Sequence, residues 1–273
     1  MTKTLEKISI ITVVFNGKDF IENTIKSVID QTYPNIEYIV IDGNSTDGTV
    51  DILKKYDDRI TYWVSEPDKG IYDAMNKAID KATGRWINFM NAGDFFYSDH
   101  VLHQIFSVDT ELDQYATVYG DAEFRLKNIA YVIEAADIAD SNNFMPFSHQ
   151  AAFVRSDVAK HYKFDLNYRI TADSAFFLRL IREGLHFKHI PVTVCSYDAL
   201  VGLSVQNELK RSKELVDMQI HLNGADSNSP YFKKYLRNAQ LKQRIKKFIP
   251  QSLWTMFREK EIKKKYKYKN IND

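Results

Sequence analysis

Four acidic positions stand where apolar runs of this chain end, and a fifth opens a helix. Asp42 closes the run 37–41 (EYIVI), Glu66 and Asp68 follow the run 60–64, and Asp94 ends the tetrapeptide Asn91, Ala92, Gly93, Asp94 after the apolar run 86–90. Asp173 lies in the first turn of a helical pattern over 172–183. A carboxylate carried to a strand end can accept an N–H from a nucleobase, hold a divalent cation or take a proton from a hydroxyl. Each also has a plainer use, because Asn, Asp and Gly are common turn residues and Asp caps helices. Repetition weighs toward chemistry: polar loops at successive strand ends of a parallel sheet share one edge, and open α/β sheets bind ligands beyond those carboxyl ends.

The elements that must position these groups follow from apolar spacing. Residues 8–15 (ISIITVVF) read as a strand ending at Asn16 and Gly17, followed by a helix with Phe20, Ile21, Ile25, Val28 and Ile29 on one face. Asp19 and Glu22 have capping-box spacing at its start. Strands at 37–41, 60–64 and 86–90 alternate with helices through Leu53 and over 71–82, with Gly84 placed as a C-terminal cap. That alternation predicts parallel pairing with right-handed crossovers. Past Asp94 the pattern is mixed. It reads as a hairpin at 116–124 and 130–135, a strand at 151–154 directly after His149 and Gln150, and a helix capped by Ser156. The helix over 172–183, a strand at 188–197, a loop at Gly202 to Ser204 and helices from Glu208 complete the chain.

Composition bounds the possibilities. With 273 residues, 44% of them hydrophobic, the chain can bury a large core. The single cysteine, Cys195, excludes an internal disulfide, fits a reducing compartment and leaves no Cys/His cluster with structural-zinc spacing. Cytoplasm is the expected location. The N-terminal segment lacks the small-residue cleavage site of a secretory signal, and no run reaches the roughly 20 apolar residues of a membrane span. Charge is unevenly placed. Residues 231–273 hold fourteen Lys and Arg against three Asp and Glu, an excess of +11 that, with +1 for the whole chain, leaves −10 over residues 1–230.

Taken in order, the first strand closing in Phe15 and Asn16, IDGNSTDGT, SEPDKGIYDAMNKAI, NAGD, HQAAF, ITAD and GLS resemble the family 2 glycosyltransferases over about residues 8–204. The branch they look closest to builds bacterial surface polysaccharides such as O-antigen and capsule. The resemblance implies an α/β GT-A fold with a Rossmann-like, mostly parallel central sheet flanked by helices, and beyond it the residues themselves read as a helical, basic C-terminal extension. It divides the chain into a glycosyltransferase domain at 1–207 (a nucleotide-binding half at 1–97 and an acceptor half at 98–207) and the extension at 208–273. It implies an inverting, metal-dependent transfer of a hexosyl group from a UDP-linked donor. Asp42 would hydrogen-bond the nucleobase with help from Val14 and Asn16, while Ser45, Asp47 and Gly48 shape the loop. Glu66, Asp68 and Gly70 would approach the donor's sugar or ribose, alongside Asn91, Ala92 and Gly93. Asp94 matches the last aspartate of the family's metal motif, with Mg²⁺ or Mn²⁺ as cofactor; Asn91 stands where an aspartate is common. Asp173 matches the general base. His149 and Gln150 would face acceptor or diphosphate, and Gly202 and Ser204 would close over the diphosphate.

The tail lies outside the resemblance. Phe248, Ile249, Leu253, Trp254, Met256 and Phe257 stand among Lys242, Arg244, Lys246, Lys247, Arg258 and Lys260, a combination that suits an interfacial helix on an anionic leaflet, with Pro250 dividing it. The same side chains could instead dock on the chain's own body or on a second copy, so a homo-oligomer stays open. The expected partners are the donor, a polyprenyl-linked glycan acceptor and the inner membrane surface; the acidic body and the absence of a nucleic-acid motif speak against nucleic acid. Two rivals differ in class. A non-catalytic sugar-nucleotide-binding or scaffold subunit is kept open by Asn91. A nucleotidyltransferase would need a glycine-rich basic triphosphate loop after the first strand, and that loop is lacking.

Overall fold

The run ISIITVV forms the central strand β1 (Ile8–Val14), buried along its whole length. Its alternate side chains serve two cores: Ile11 and Val13 pack on one face of the sheet, Ile8, Ile10 and Val14 on the other. A strand covered on both faces is apolar without alternation. The computed structural model describes residues 5–107, 111–126, 129–140, 145–200, 202–246, 248–250, 253–257, 259–260 and 269–270. Lys247 and Arg258 of the tail lie outside the described residues.

Parallel strands flank β1: β2 (Ile36–Asp42) on one side, then β3 (Tyr62–Ser65), and β4 (Trp86–Phe89) on the other. Helices α1 (Lys18–Ile29), α2 (Thr49–Lys55) and α3 (Ile71–Lys81) make the connections. The order β4-β1-β2-β3 sends the loops after all four strands to one edge. Beyond β4 the sheet is mixed. After β5 (Phe95–Phe96) and α4 (Val101–Phe106), strands β6 (Thr117–Leu126) and β7 (Ile129–Ile133) form the antiparallel hairpin that the sequence predicts. Strand β8 (Ala152–Arg155) lies antiparallel between β6 and β4, and β9 (Phe187–Asp198) runs parallel to β6 and antiparallel to β5. Helices α5 (Ser156–Tyr162) and α6 (Ala172–Arg182) precede β9; α7 (Leu203–Gln206), α8 (Glu208–Asn223), α9 (Pro230–Lys246) and a short β10 (Lys269–Asn270) follow. α8 packs into the same core as α3 and α6 through Leu215 and Met218.

Three local expectations are replaced. Ser156 does not cap its helix: it is the first residue of α5, after Arg155, and its hydroxyl donates to the Gly84 carbonyl. Glu22 is not part of a capping box: α1 begins at Lys18, and Glu22 accepts hydrogen bonds from Lys55 Nζ and the Tyr56 hydroxyl at 2.7 Å each, tying α1 to α2. Gly84 is not a left-handed helix cap, since α3 ends in extended backbone at Ala82. A Cβ on Gly84 would lie 2.6 Å from the Ser9 amide nitrogen, so glycine is needed there for close approach to β1.

Candidate active site

At the ends of β1 and β2 the polar loops lace into one another. Asp42 is fully buried, and its carboxylate accepts three hydrogen bonds: Ser45 N–H at 2.9 Å, the Ser45 hydroxyl at 2.5 Å and the Ser65 hydroxyl at 2.6 Å. A carboxylate offers about four acceptor positions, and these bonds fill three of them. Asn16, at φ +49°, donates its N–H to the Ser45 hydroxyl and accepts from Thr46 N–H, while Asp47 accepts from Lys18 N–H and from Thr49. Val14 accepts from Gly43 N–H through its carbonyl. Val14, Asn16 and Asp42 are thus brought together, and Phe15 between them is left 66% exposed, an aromatic face that the sequence reading passes over.

The loop after β3 is held more loosely. Asp68 accepts from Gly70 N–H at 2.8 Å, Glu66 is paired with Lys77 at 2.8 Å on the surface, and Gly70 adopts φ +125°. That left-handed backbone explains the glycine.

The loop after β4 meets the second half of the molecule. Gly93, at φ +99°, donates its N–H to the Thr24 hydroxyl, and Asp94 N–H closes a turn on the Asn91 carbonyl. Opposite them a 3-10 turn, His149–Ala151, enters β8 and presents two consecutive side chains. Gln150 Nε2 donates to Asp94 Oδ2 at 3.0 Å, and His149 Nδ1 lies 2.9 Å from Asp173 Oδ2. His149 Nε2 lies 3.3 Å from Asn91 Nδ2, and the Tyr72 hydroxyl donates to Asp173 Oδ1 at 2.9 Å. Asp94, Asn91, His149, Gln150, Asp173 and Tyr72 therefore form one linked group, although 101 positions separate Tyr72 from Asp173.

Electrostatics divide the two carboxylates. Burial raises Asp94 to about 6, against the pull of the Gln150 hydrogen bond and the charges of His149 and Arg125, with Asp198 adding to the rise. Burial also pushes Asp173 upward, but the His149 hydrogen bond and charge, with the Tyr72 hydroxyl, outweigh it and hold it below the ordinary carboxylate range. Burial lowers His149, yet Asp173 and Asp94 more than compensate and leave its pKa raised. Asp173 is thus ionised at neutral pH, with imidazole as its partner.

Arg125 is a second group absent from the sequence reading. From β6 it donates to the Gly93 carbonyl at 3.3 Å and lies 3.7 Å over the Phe95 ring, beside Asp198 in the β6–β9 register. A charged residue near the end of a strand that begins apolar is its only linear signal. Tyr72 had one as well, since it lies within the quoted segment SEPDKGIYDAMNKAI. Gly202, at φ +122°, and the exposed Ser204 belong to the region of α7; the structure brings neither into the linked group.

A divalent ion suits what is present. Among the described residues no three carboxylate, histidine or cysteine side chains cluster as a ligand set. Mg²⁺ and Mn²⁺ commonly take one or two protein oxygens and complete their shells with phosphates and water. Asp94 is one such oxygen donor, and the buried Asn91 Oδ1 has no hydrogen-bond partner, so it is a neutral oxygen still to be satisfied.

The α/β fold of this chain, with its strand order, is that of the GT-A class of glycosyltransferases. Among solved structures the chain resembles glucosyl-3-phosphoglycerate synthase of Mycobacterium tuberculosis, crystallised with Mn²⁺, UDP and glucosyl-3-phosphoglycerate. The TM-score is 0.59 at 15% identity, over 81% of this chain and 82% of that one. By sequence it is 36% identical over 200 residues to an uncharacterized glycosyltransferase of Mycobacterium tuberculosis, covering 70% of this chain and 74% of the relative. It is 40% identical over 108 residues to TuaG of Bacillus subtilis, provisionally named a teichuronic acid biosynthesis glycosyltransferase, covering 38% of this chain and 43% of TuaG. The profile of glycosyl transferase family 2 matches residues 9–161. The chain belongs to that family and is a glycosyltransferase.

Proposed function

We propose that the protein transfers a hexosyl group, with inversion, from a UDP-linked donor to a lipid-linked oligosaccharide or polysaccharide precursor. The carrying observation is that consecutive residues, His149 and Gln150, connect Asp173 to Asp94. Asp173 accepts the proton of the acceptor hydroxyl as that oxygen bonds to the sugar's anomeric carbon, and the bond from that carbon to the diphosphate breaks on the opposite face. His149 holds Asp173 in place through Nδ1–H, and Tyr72 fixes its other oxygen. Asp94 with Asn91 would hold Mg²⁺ or Mn²⁺, which neutralises charge on the departing diphosphate. Val14, Asn16 and Asp42 receive the nucleobase, Glu66, Asp68 and Gly70 border the sugar or ribose with Ala92 and Gly93, and Gly202 and Ser204 close the diphosphate side. The complexes of the synthase with UDP and Mn²⁺ support the donor and the metal. TuaG's name supports a polysaccharide product.

A specific observation favours a second reading of the base. A carboxylate that orients an imidazole through Nδ1 is also the arrangement in which the imidazole Nε2 takes the proton. Here Nε2 faces the Asn91 amide at 3.3 Å, which favours Asp173.

The acceptor's location follows from the tail. No helix among the described residues is long and apolar enough to cross a membrane. Phe248 is 87% exposed, and Leu253, Met256 and Phe257 are also exposed, beside Lys246 and Lys260. Apolar anchors within a basic segment bind an anionic leaflet, where each nearby Lys or Arg contributes about 1 kcal/mol. The protein then works on the cytoplasmic face of a bacterial membrane, with residues 1–207 as the transferase unit and 208–273 as the extension that carries this surface.

The testing experiment is calorimetric titration with UDP, GDP and dTDP, each with and without Mn²⁺. Selective binding of UDP strengthened by Mn²⁺ supports the reading. Tighter binding of another nucleotide replaces the donor, and no binding to any folded sample favours a scaffold subunit.

A further inference from the structure

The backbone just ahead of α6 is held from the C-terminal side of the chain. Glu214, on α8, accepts Arg169 N–H on Oε1 at 3.0 Å, and Ile170 N–H, Thr171 N–H and the Thr171 hydroxyl on Oε2 at 2.8, 3.1 and 3.2 Å. Near it on α8, Asp217 accepts from the Tyr168 hydroxyl at 3.2 Å. Amides at a helix start have no intrahelical acceptor, and Thr171, the residue before α6, makes no side-chain cap of its own. Glu214 satisfies the Thr171 N–H and the two amides ahead of it, rather than the first-turn amides of α6 itself, and sets a negative charge at the favourable end of the α6 dipole. From the other side, the Tyr72 hydroxyl lies 3.0 Å from the Ile170 carbonyl as well as 2.9 Å from Asp173, sharing its one proton between them, and the Arg169 guanidinium donates to the Lys69 carbonyl.

We propose that Glu214 is a positioning residue for sugar transfer: by holding residues 169–171 across the molecule it fixes the backbone that leads into α6, two residues ahead of Asp173. This rests on reading Asp173 as the base. It makes α8, the first long helix of the extension, a support for the transferase unit, although α8 lies beyond residues 9–161 that match the family profile. Glu214 is not required to dock α8, because Leu215 and Met218 already anchor that helix in the core. The donor loop has hydrogen bonds of its own, Gly70 N–H to Asp68 and Lys69 N–H to Asp73, beside the one from Arg169, and the nucleobase loop around Asp42 makes none to Glu214, so UDP binding is expected to survive its loss.

The experiment compares full-length Glu214→Ala, Glu214→Gln, Leu215→Ala and Asp173→Asn with the parent protein. One readout is the imidazole Nδ1 proton that His149 donates to Asp173, observed by NMR on protein carrying ¹⁵N-histidine and assigned through its loss in His149→Gln. The others are UDP binding in the presence of Mn²⁺, the thermal midpoint, and UDP release from UDP-glucose, UDP-galactose and UDP-N-acetylglucosamine over extracted bacterial membrane lipid. Glu214→Ala is expected to lose the Nδ1 resonance and to lower kcat by up to about 10²-fold, the scale of an ångström-level misplacement, with UDP affinity unchanged. Glu214→Gln falls between, since one oxygen remains to accept. Leu215→Ala lowers the thermal midpoint but retains the resonance. Folded Glu214→Ala with the parent's resonance and rate overturns the proposal. So does loss of the resonance in Glu214→Ala and Leu215→Ala alike, or loss of UDP binding in Glu214→Ala. Asp173→Asn separates the two readings: parental turnover there removes the base assignment itself. An inactive Asp173→Asn beside a fully active Glu214→Ala removes only the role of Glu214.

Discussion

Replacing Asp94 by asparagine should make the ligand-free protein more stable and the liganded protein less so. The carboxyl is partly buried, and its pKa rises from the usual 3.8 to about 6 because burial disfavours the charge more than Gln150, His149 and Arg125 favour it. A folded-state pKa above the unfolded one means that the folded chain holds the proton more tightly. Stability therefore falls as pH rises from about 4 to about 6 and stays at the lower level above that window. A shift of about two pH units corresponds to about 3 kcal/mol, an upper figure for a site partly open to water. The amide of Asp94→Asn carries no such charge, and its oxygen still accepts from Gln150. Parent and variant should then unfold at nearly the same temperature near pH 4, with the variant ahead by several degrees above pH 6, given about 2–4 °C per kcal/mol for a domain of this size. Loss of other acidic groups' stability is common to both proteins and cancels in the difference. Adding Mn²⁺ with UDP at about 1,000 times the parent's Kd should reverse the order, because that stabilises by about 4.1 kcal/mol and only the parent holds the ion through a carboxylate. Thermal unfolding across pH, with and without UDP and Mn²⁺, measures all of this. A gap that does not change with pH refutes the burial argument. An equal ligand-induced shift in both proteins places the metal elsewhere.

Asp173→Asn should lower transfer by about 10²- to 10⁴-fold with UDP binding intact, measured as steady-state UDP release beside calorimetry; near-parental turnover removes Asp173 as base. His149→Gln should leave UDP binding intact and cost less than Asp173→Asn if His149 only orients the carboxylate; an equal or larger loss moves the base to the imidazole. Gly120→Ala should destabilise strongly, since its Cβ would lie 2.4 Å from the Val192 carbonyl across the β6–β9 pair, and denaturant unfolding with an unchanged midpoint contradicts that packing. Truncation after Tyr231 should abolish sedimentation with anionic liposomes at low salt, and unaltered binding places the membrane contact on the body.

Much of this protein was legible from its residues in order. Strand and helix periodicity located β1 to β4 and their helices because apolar spacing within each short segment sets its element type, even though β4 pairs with β1 rather than with β3. The polar loops at the strand ends identified Asp42, Asp94 and the DKG segment for the same reason. Local patterns misled where a distant contact decided the outcome: Glu22 has capping-box spacing but is taken by Lys55 and Tyr56, and Gly84 looks like a helix cap but serves close approach to Ser9. Only the tertiary structure decided that His149 belongs with Asp173 and Gln150 with Asp94, that Arg125 stands beside the Asp94 loop, and that a glutamate in the C-terminal region holds the backbone leading into the helix that carries Asp173. Those contacts join elements tens of residues apart, and a carboxylate's partner, burial and proton affinity depend on what folding places beside it, which spacing along the chain does not encode.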